Sequence, residues 1–372
     1  MKNGLKHDCI VVGAGLLGMF TARELASAGL AVLLVDRQQC GQESSWAGGG
    51  ILSPLYPWRY PEPVTRLAAW SQCHYQEIAA SLTERTGIDP QWRRSGMLLV
   101  DLEDELEAES WAKQYAITMQ PLMAEALRQY EPTLSRRCQR AVFFPDVAQV
   151  RNPRLIKALR KELDLLGVQV LEQVEVSGLQ LTTAGGRQQV QGVEAGHASY
   201  TAEKVVVCGG AWTQQILSGL NLRIGIKPVR GQMVMFKAHP DLVRHIILVE
   251  DCYLIPRQDG RILAGSTLEQ AGFDKTPTEQ AEKVLVRHAL ELVPALSDFP
   301  LEAHWAGLRP GTDNNGIPYI SAVESVSGLY VNTGHFRNGV VLAPASARLL
   351  ADIMLGRPPI VEPDLYRIPE NP

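Results

Sequence analysis

The chain has 372 residues, 45% of them hydrophobic and 20% charged, with a net charge of −4. This is a soluble globular composition, with enough chain for a large core in two domains. It lacks the basic footprint of a nucleic-acid binder, and its longest apolar runs, such as LAVLLV at 30–35, are too short to span a bilayer.

The first apolar residues are interrupted by Asp8 and followed by glycines, so they do not read as a signal peptide. Six cysteines (Cys9, Cys40, Cys73, Cys138, Cys208, Cys252) stand singly, without metal-ligand spacing. The expectation is a cytoplasmic protein with reduced, mostly structural thiols and no metal.

Residues 8–36 read as a βαβ unit. DCIVV is a buried strand, LLGMFTARELASAG an amphipathic helix ending at Gly29, and AVLLVD a second strand. Between strand and helix lies Gly13-x-Gly15-x-x-Gly18, and Asp36 closes the second strand. A lone GxGxxG is a weak signal; with this strand, helix, strand and terminal acid it is a dinucleotide fingerprint. The glycines allow a tight turn and close approach of a pyrophosphate, for which the helix start supplies free N–H donors. Asp36 accepts from ribose hydroxyls and repels a 2′-phosphate, which disfavours NADP.

A nicotinamide dehydrogenase usually continues through further βα units. Here CGQESSWAGGGILSP follows at 40–54. Ser44 and Ser45 offer hydroxyl donors, and Gly48, Gly49 and Gly50 let the backbone lie against a flat or phosphate-bearing ligand. Trp46, Ile51 and Leu52 are too apolar for a solvated linker.

Helical patterns are expected at 63–86 and 105–129, separated by the strand GMLLVD at 96–101. A helix at 153–166 precedes the strands VQVLE, VEVSGLQLT and QQVQGVEA, with a hairpin turn at 184–186. KVVVCGG then carries Gly209 and Gly210 at its end, before the helix AWTQQILSGL. Strands follow at 226–237, 246–255 and 261–267, a helix at 277–292, strands at 301–309 and 318–320, the strand GLYVNTG and a last helix. βα units alternating with antiparallel blocks imply two domains, each assembled from separated segments.

Two basic positions stand out near the end. Arg309, in WAGLRPGT, ends an apolar strand where an unpaired guanidinium is costly to bury; its planar fork matches a carboxylate. GHFRNG, at 334–339, opens a helix whose first amides, at Gly339, Val340 and Val341, are free donors.

In this order, VVGAGLLG, VDRQQCGQESSWAGGGILSP, VVVCGGAWT, KPVRGQM, CYLIPRQDGRILAGST, HWAGLRPGT and GHFRNGVVLAP resemble the amino-acid oxidase family of flavoproteins. That family includes D-amino-acid oxidase, sarcosine oxidase and glycine oxidase; the likeness covers essentially the whole chain and is strongest to the glycine-oxidising members of thiamine biosynthesis. The resemblance implies an α/β fold, α+β overall, with a split Rossmann-like FAD-binding domain (1–85, 150–222, 305–372) and an antiparallel-sheet substrate domain (86–149, 223–304). It implies FAD in an extended pose and hydride transfer from a small amino acid to flavin N5. The imine is then hydrolysed, and O2 is reduced to H2O2. Some sarcosine oxidases attach flavin through a cysteine in the stretch equivalent to RPGTDNNGIPYISAVESVSGLYVN, which here has none, so noncovalent FAD is expected.

By the same resemblance, Arg309 and Tyr253 contact the substrate carboxylate and Arg337 borders the substrate. Gly13, Gly15, Leu16, Leu17, Gly18, Asp36 and Arg37 contact the cofactor's nucleotide half. Ser44, Ser45, Gly49, Gly50, Ile51, Val176 and Gly209 contact it further along; His335, Phe336, Arg337, Asn338, Gly339, Val340 and Val341 surround the flavin ring. No side chain is expected as acid or base, because hydride transfer from a neutral amine needs none; His335 is assigned to the flavin environment. Leu268 is a candidate cap on the pocket, and Asp251 shares a strand face with Tyr253. Sarcosine, D-alanine and D-proline remain open beside glycine as substrates, as does a dehydrogenase passing electrons to a quinone. Relatives further suggest a homotetramer and a role in supplying imine for the thiazole of thiamine.

Overall fold

A computed structural model describes residues 7–220, 222 and 224–369. Its first sheet runs, in spatial order, Tyr319–Ala322, Leu329–Thr333, Ala198–Val207, His7–Val12, Val32–Val35 and Gln169–Leu171. All neighbours on this path are parallel except the edge strand Tyr319–Ala322. The central strands are continuous apolar runs because both faces are covered. Cys9, Val11, Leu34 and Val206 face the helices Leu16–Ser27 and Gly339–Leu355. Ile10, Val12, Leu33, Val35, Val205 and Val207 face the opposite layer, with Leu217.

Helix Gly339–Leu355 is apolar almost all round because it is internal. Phe336–Leu355 is the one helix, among the described residues, long and apolar enough to cross a membrane, and 72% of its apolar 18-residue window is buried inside the fold. Pro344 lies within it and has no N–H for the carbonyl of Val340, one turn earlier. The Tyr75 hydroxyl, from helix Glu62–Thr86, donates to that carbonyl at 2.8 Å. The freed acceptor is thus satisfied by a tyrosine with no solvent exposure.

The second sheet is ordered Leu301–Gly311, Lys227–Lys237, Arg261–Gly265, Cys252–Pro256, Ile246–Val249, Met97–Val100, Arg140–Phe144 and Gln120–Met123. It is antiparallel apart from the contact of Ile246–Val249 with Met97–Val100. Helix Glu279–Leu292 covers one face through Leu285, Ala289 and Leu292. The other face presents Met233, Tyr253 and Ile255 together with Ile51 and Leu55 of the loop after the second strand.

Three elements differ from the expected ones. The stretch 105–129 is not one helix but Glu105–Gln114, the edge strand Gln120–Met123 and Ala124–Tyr130. Pro121 would remove a hydrogen bond from the middle of a helix and clash with the preceding turn, whereas it is tolerated at a sheet edge. AWTQQILSGL forms only a 3₁₀ turn, Gly210–Trp212, and a single turn, Thr213–Ile216. The run 246–255 folds back at Glu250 (φ 49°) into the hairpin Ile246–Val249 and Cys252–Pro256. Leu301–Gly311 belongs to the second sheet along its length, so a boundary at 305 falls inside a strand; residue 223, at another boundary, lies outside the described residues.

Candidate active site

Between the two sheets lies a cavity of about 540 Å³. Its wall starts at the C-terminal end of His7–Val12. Gly13 takes φ +102°, and an added Cβ there would lie 2.5 Å from the Cys208 carbonyl oxygen. Gly18 does not line the cavity; its Cβ would lie 1.8 Å from the Gly13 carbonyl oxygen, so it is the point where helix and strand touch. Gly15 faces open space, with only the Ser45 hydroxyl near an added Cβ. That hydroxyl accepts from the Leu16 N–H at 2.9 Å.

The Asp36 carboxylate accepts from Ala14 N–H at 2.6 Å and Gln38 N–H at 2.8 Å. Burial pushes its pKa up, and the two backbone bonds oppose that shift. Arg37 lies 3.9 Å over the Trp212 ring and pairs with Glu43 at 3.2 Å. Leu16, Leu17, Ser44, Val176 and Gly209 complete this end of the wall.

The middle of the wall is the glycine turn at 48–50. Gly50 has φ +74° and its Cβ would lie 2.1 Å from the Val150 carbonyl oxygen. Gly49 lies against Ile255, at 2.5 Å from an added Cβ. These glycines let the loop pack flat between the two sheets, with Ile51 beside them on the cavity.

At the far end, His335, Phe336, Arg337, Gly339 and Val340 line the cavity, which therefore meets the N-terminus of helix Gly339–Leu355. The backbone turns there through Gly334 (φ 83°) and Phe336 (φ 44°). Asn338 and Val341 do not line the cavity and are buried behind it. His335 is fully buried, with Nε2 2.9 Å from the Ser346 hydroxyl, and burial pushes its pKa down to about 3. It is a neutral imidazole at any ordinary pH. Arg337 reaches Asp251 at 2.7 Å through Nη1, while its buried Nη2 has no hydrogen-bond partner among the described residues.

Arg309 is the other cation of this end. Its guanidinium lies against Gly231, where an added Cβ would fall 2.0 Å from Nη1. Nη1 donates to the Thr267 carbonyl at 3.0 Å and Nη2 to the Ser266 hydroxyl at 2.7 Å. No ion pair among the described residues includes it. Burial holds its pKa below the usual guanidinium range, and Arg337 adds to that effect while Tyr253 opposes it. Tyr253 is 7% exposed and lines the cavity beside Met233, whose sulfur is 3.7 Å from its hydroxyl.

The arrangement is an anion clamp beside a long, glycine-walled slot. Two half-buried guanidinium groups keep donors that no carboxylate among the described residues satisfies, and the N-termini of helices Leu16–Ser27 and Gly339–Leu355 both open on the slot. An unpaired buried donor at one end and open space in front of Gly15 at the other are what an extended, negatively charged cofactor and an anionic substrate would fill. The residues therefore fit FAD.

Leu268 is 44% exposed and does not line the cavity, so it does not cap it. Gly231, Met233, Ser266 and Trp212 line the cavity without having been singled out as site residues. Gly231 and Met233 lie in KPVRGQM, Trp212 in VVVCGGAWT and Ser266 in CYLIPRQDGRILAGST, but no local pattern marks them as wall residues and tertiary folding brings them to the cavity.

The FAD dependent oxidoreductase family matches residues 8–353, and the chain belongs to it. It is a flavoenzyme of the oxidoreductase class, and its cofactor is FAD. It is 48% identical to the glycine oxidase of Pseudomonas aeruginosa over 97% of this chain and 98% of that relative. It is 30% identical to the bifunctional protein ThiO/ThiG of Synechocystis sp., covering 94% of this chain and 51% of that one. The crystal structure of glycine oxidase from Geobacillus kaustophilus superposes with a TM-score of 0.91 at 26% identity, covering 98% of this chain and 99% of that one.

Proposed function

We propose that the protein is a glycine oxidase. It deaminates glycine, and other small amines such as sarcosine, D-alanine and D-proline, to the 2-oxo acid through an imine. Bound FAD supplies the two-electron acceptor and returns the electrons to O2, giving H2O2. The observation that carries this reading is Arg309, a half-buried guanidinium on the cavity wall that donates to a hydroxyl and a carbonyl, lies beside Tyr253, and has no carboxylate partner among the described residues. A carboxylate is the group that completes such a fork.

In this reading Arg309 and Tyr253 fix the substrate carboxylate, and Arg337, held by Asp251, borders the amino group's side of the pocket. Holding the amino acid by its carboxylate sets the orientation of the α-carbon, the main contribution a protein makes to a transfer of this kind. The amine reacts in its neutral form, so no side chain need take its proton, and a neutral His335 stays a neighbour of the ring. The helix start at Gly339 offsets negative charge on the reduced cofactor. Gly13, Gly15, Leu16, Leu17, Asp36, Arg37, Ser44, Ser45, Gly49, Gly50, Ile51, Val176, Gly209, Phe336 and Val340 hold the cofactor noncovalently. Gly18, Asn338 and Val341 support that wall from behind.

The reading extends to an FAD-binding domain split into three segments and interleaved with a substrate domain that keeps the whole of strand Leu301–Gly311, to a cytoplasmic homotetramer, and to supply of imine for the thiamine thiazole. The likeness to half of ThiO/ThiG supports the last of these. Purified protein should be yellow and release peroxide in air with glycine; reduction of a dye without peroxide would make it a dehydrogenase instead. Light scattering should give a mass four times that of one chain.

A further inference from the structure

Behind the glycine turn lies a cation that the reading above does not use. Arg257, at the end of strand Cys252–Pro256, is 7% exposed and does not line the cavity. Its guanidinium donates to three neutral oxygens: Gln149 Oε1 at 2.7 Å, the Val150 carbonyl at 3.0 Å and the Gly49 carbonyl at 2.8 Å. No ion pair among the described residues includes it. The nearby Asp259 is already shared by Arg151 at 2.7 Å and Arg261 at 3.0 Å.

A buried charge without a counter-ion is expensive to keep, and three carbonyl-type acceptors only partly offset its lost hydration. Burial pushes the Arg257 pKa down to about 9, with Arg151 adding to the shift and Asp259 opposing it, which still leaves the group protonated at neutral pH. One of its three acceptors, the Gly49 carbonyl, belongs to a residue of the cavity wall. Gly49 and Gly50 form the cavity wall on the far side of the peptide that Arg257 grips. A trans peptide points its C=O and N–H in opposite directions. Holding the Gly49 carbonyl toward Arg257 therefore turns the Gly50 N–H away from it, on the side where both glycines line the cavity.

We propose that Arg257 is a positioning residue for the flavin: it fixes the Gly49–Gly50 peptide with its N–H toward the cofactor and places an uncompensated positive charge behind the wall, raising the cofactor's reduction potential. The inference rests on the flavin ring lying against the turn at 49–51. Two roles are thereby joined in one group, orientation of a donor and stabilisation of the negative charge that arrives on reduction.

The test is the reduction potential of the FAD-loaded protein, measured by equilibration with a reference dye. Gln149→Glu is the informative variant, because it sets a carboxylate where Gln149 Oε1 already accepts, cancelling the charge while keeping every side chain in place. The expected result is a shift of the reduction equilibrium of about tenfold toward oxidised flavin, about 30 mV for a two-electron couple, with thermal stability kept. Arg257→Gln should shift it in the same direction and Arg257→Lys should retain most of the wild-type value. If Arg257→Gln does not take up FAD, Gln149→Glu decides the matter alone. A Gln149→Glu holoenzyme with unchanged potential overturns the proposal, since a purely structural guanidinium would only be held more firmly by the added carboxylate. Wild-type holoenzyme that glycine cannot reduce would instead overturn the functional reading.

Discussion

Arg309 and His335 are the two side chains whose surroundings dictate most at the level of single residues. Arg309 is held by donors to Thr267 and Ser266 and pressed against Gly231, so its fork is oriented before any ligand arrives. Removing it as Arg309→Ala should cost about 2–5 kcal/mol in kcat/KM for glycine, at least tens-fold, with the flavin spectrum retained. Unchanged kcat/KM would remove Arg309 from the substrate site. His335 makes an opposite prediction, on stability. Its folded pKa of about 3 lies below the ordinary 6.5, so between those values the unfolded chain binds a proton that the folded chain does not. Stability is then fully present above about pH 6.5 and falls as pH drops, by up to about 1.4 kcal/mol per pH unit. His335→Asn should lose about 1–2 kcal/mol less than wild type between pH 7 and pH 5 in urea melts. Equal losses would show that His335 titrates normally. Arg309 was legible in sequence because an arginine before a proline at the end of an apolar strand is costly without a partner. Its actual holders, Ser266 and Thr267, were not, because they are more than forty positions away and nothing in CYLIPRQDGRILAGST pairs them with Arg309.

Elements were legible wherever periodicity and glycines agreed. The unit at 8–36 could be read whole, since two fully apolar strands flank a helix that begins on the glycine turn. Gly18 shows why spacing was decisive: with only 1.8 Å between an added Cβ and the Gly13 carbonyl oxygen, the helix must move for any other residue. Gly18→Ala should therefore reduce FAD retention on a desalting column to a small fraction of wild type, and full retention would contradict the close contact. The strand at Gln120–Met123 was hidden because its four residues owe their conformation to pairing with Arg140–Phe144 rather than to any local pattern. Helix Gly339–Leu355 carries a second hidden dependency. Pro344 frees the Val340 carbonyl, and Tyr75 satisfies it from another helix. Tyr75→Phe should lower stability by about 1–3 kcal/mol, the cost of a buried acceptor left unpaired. Its kcat should stay near wild type, and a Tm unchanged within a degree would show that the bond contributes nothing.

Across the whole molecule, the distance between VVGAGLLG and GHFRNG in the chain disappears in space. Strands His7–Val12, Ala198–Val207 and Leu329–Thr333 are neighbours in one parallel sheet, so turns near 13, 209 and 335 open on the same cavity. The antiparallel sheet supplies the other wall, with Tyr253, Met233 and Arg309 on three of its strands. That a second sheet closes over the first was legible from the alternation of segments; where its strands begin and end was not, because Leu301–Gly311 reads the same whichever sheet it joins. Acid precipitation tests the manner of cofactor attachment at this scale: the yellow colour should leave with the supernatant, and colour in the pellet would mean a covalent bond.

The most direct test of the central claim is anaerobic mixing of the purified yellow protein with glycine, watched in the flavin absorbance. Wild type should bleach fully, and recover with release of one peroxide per flavin when air is admitted. Arg309→Ala, equally yellow, should bleach only at far higher glycine. A wild-type flavin that stays oxidised with glycine, sarcosine, D-alanine and D-proline alike would contradict the assignment of this cavity to small amino acids.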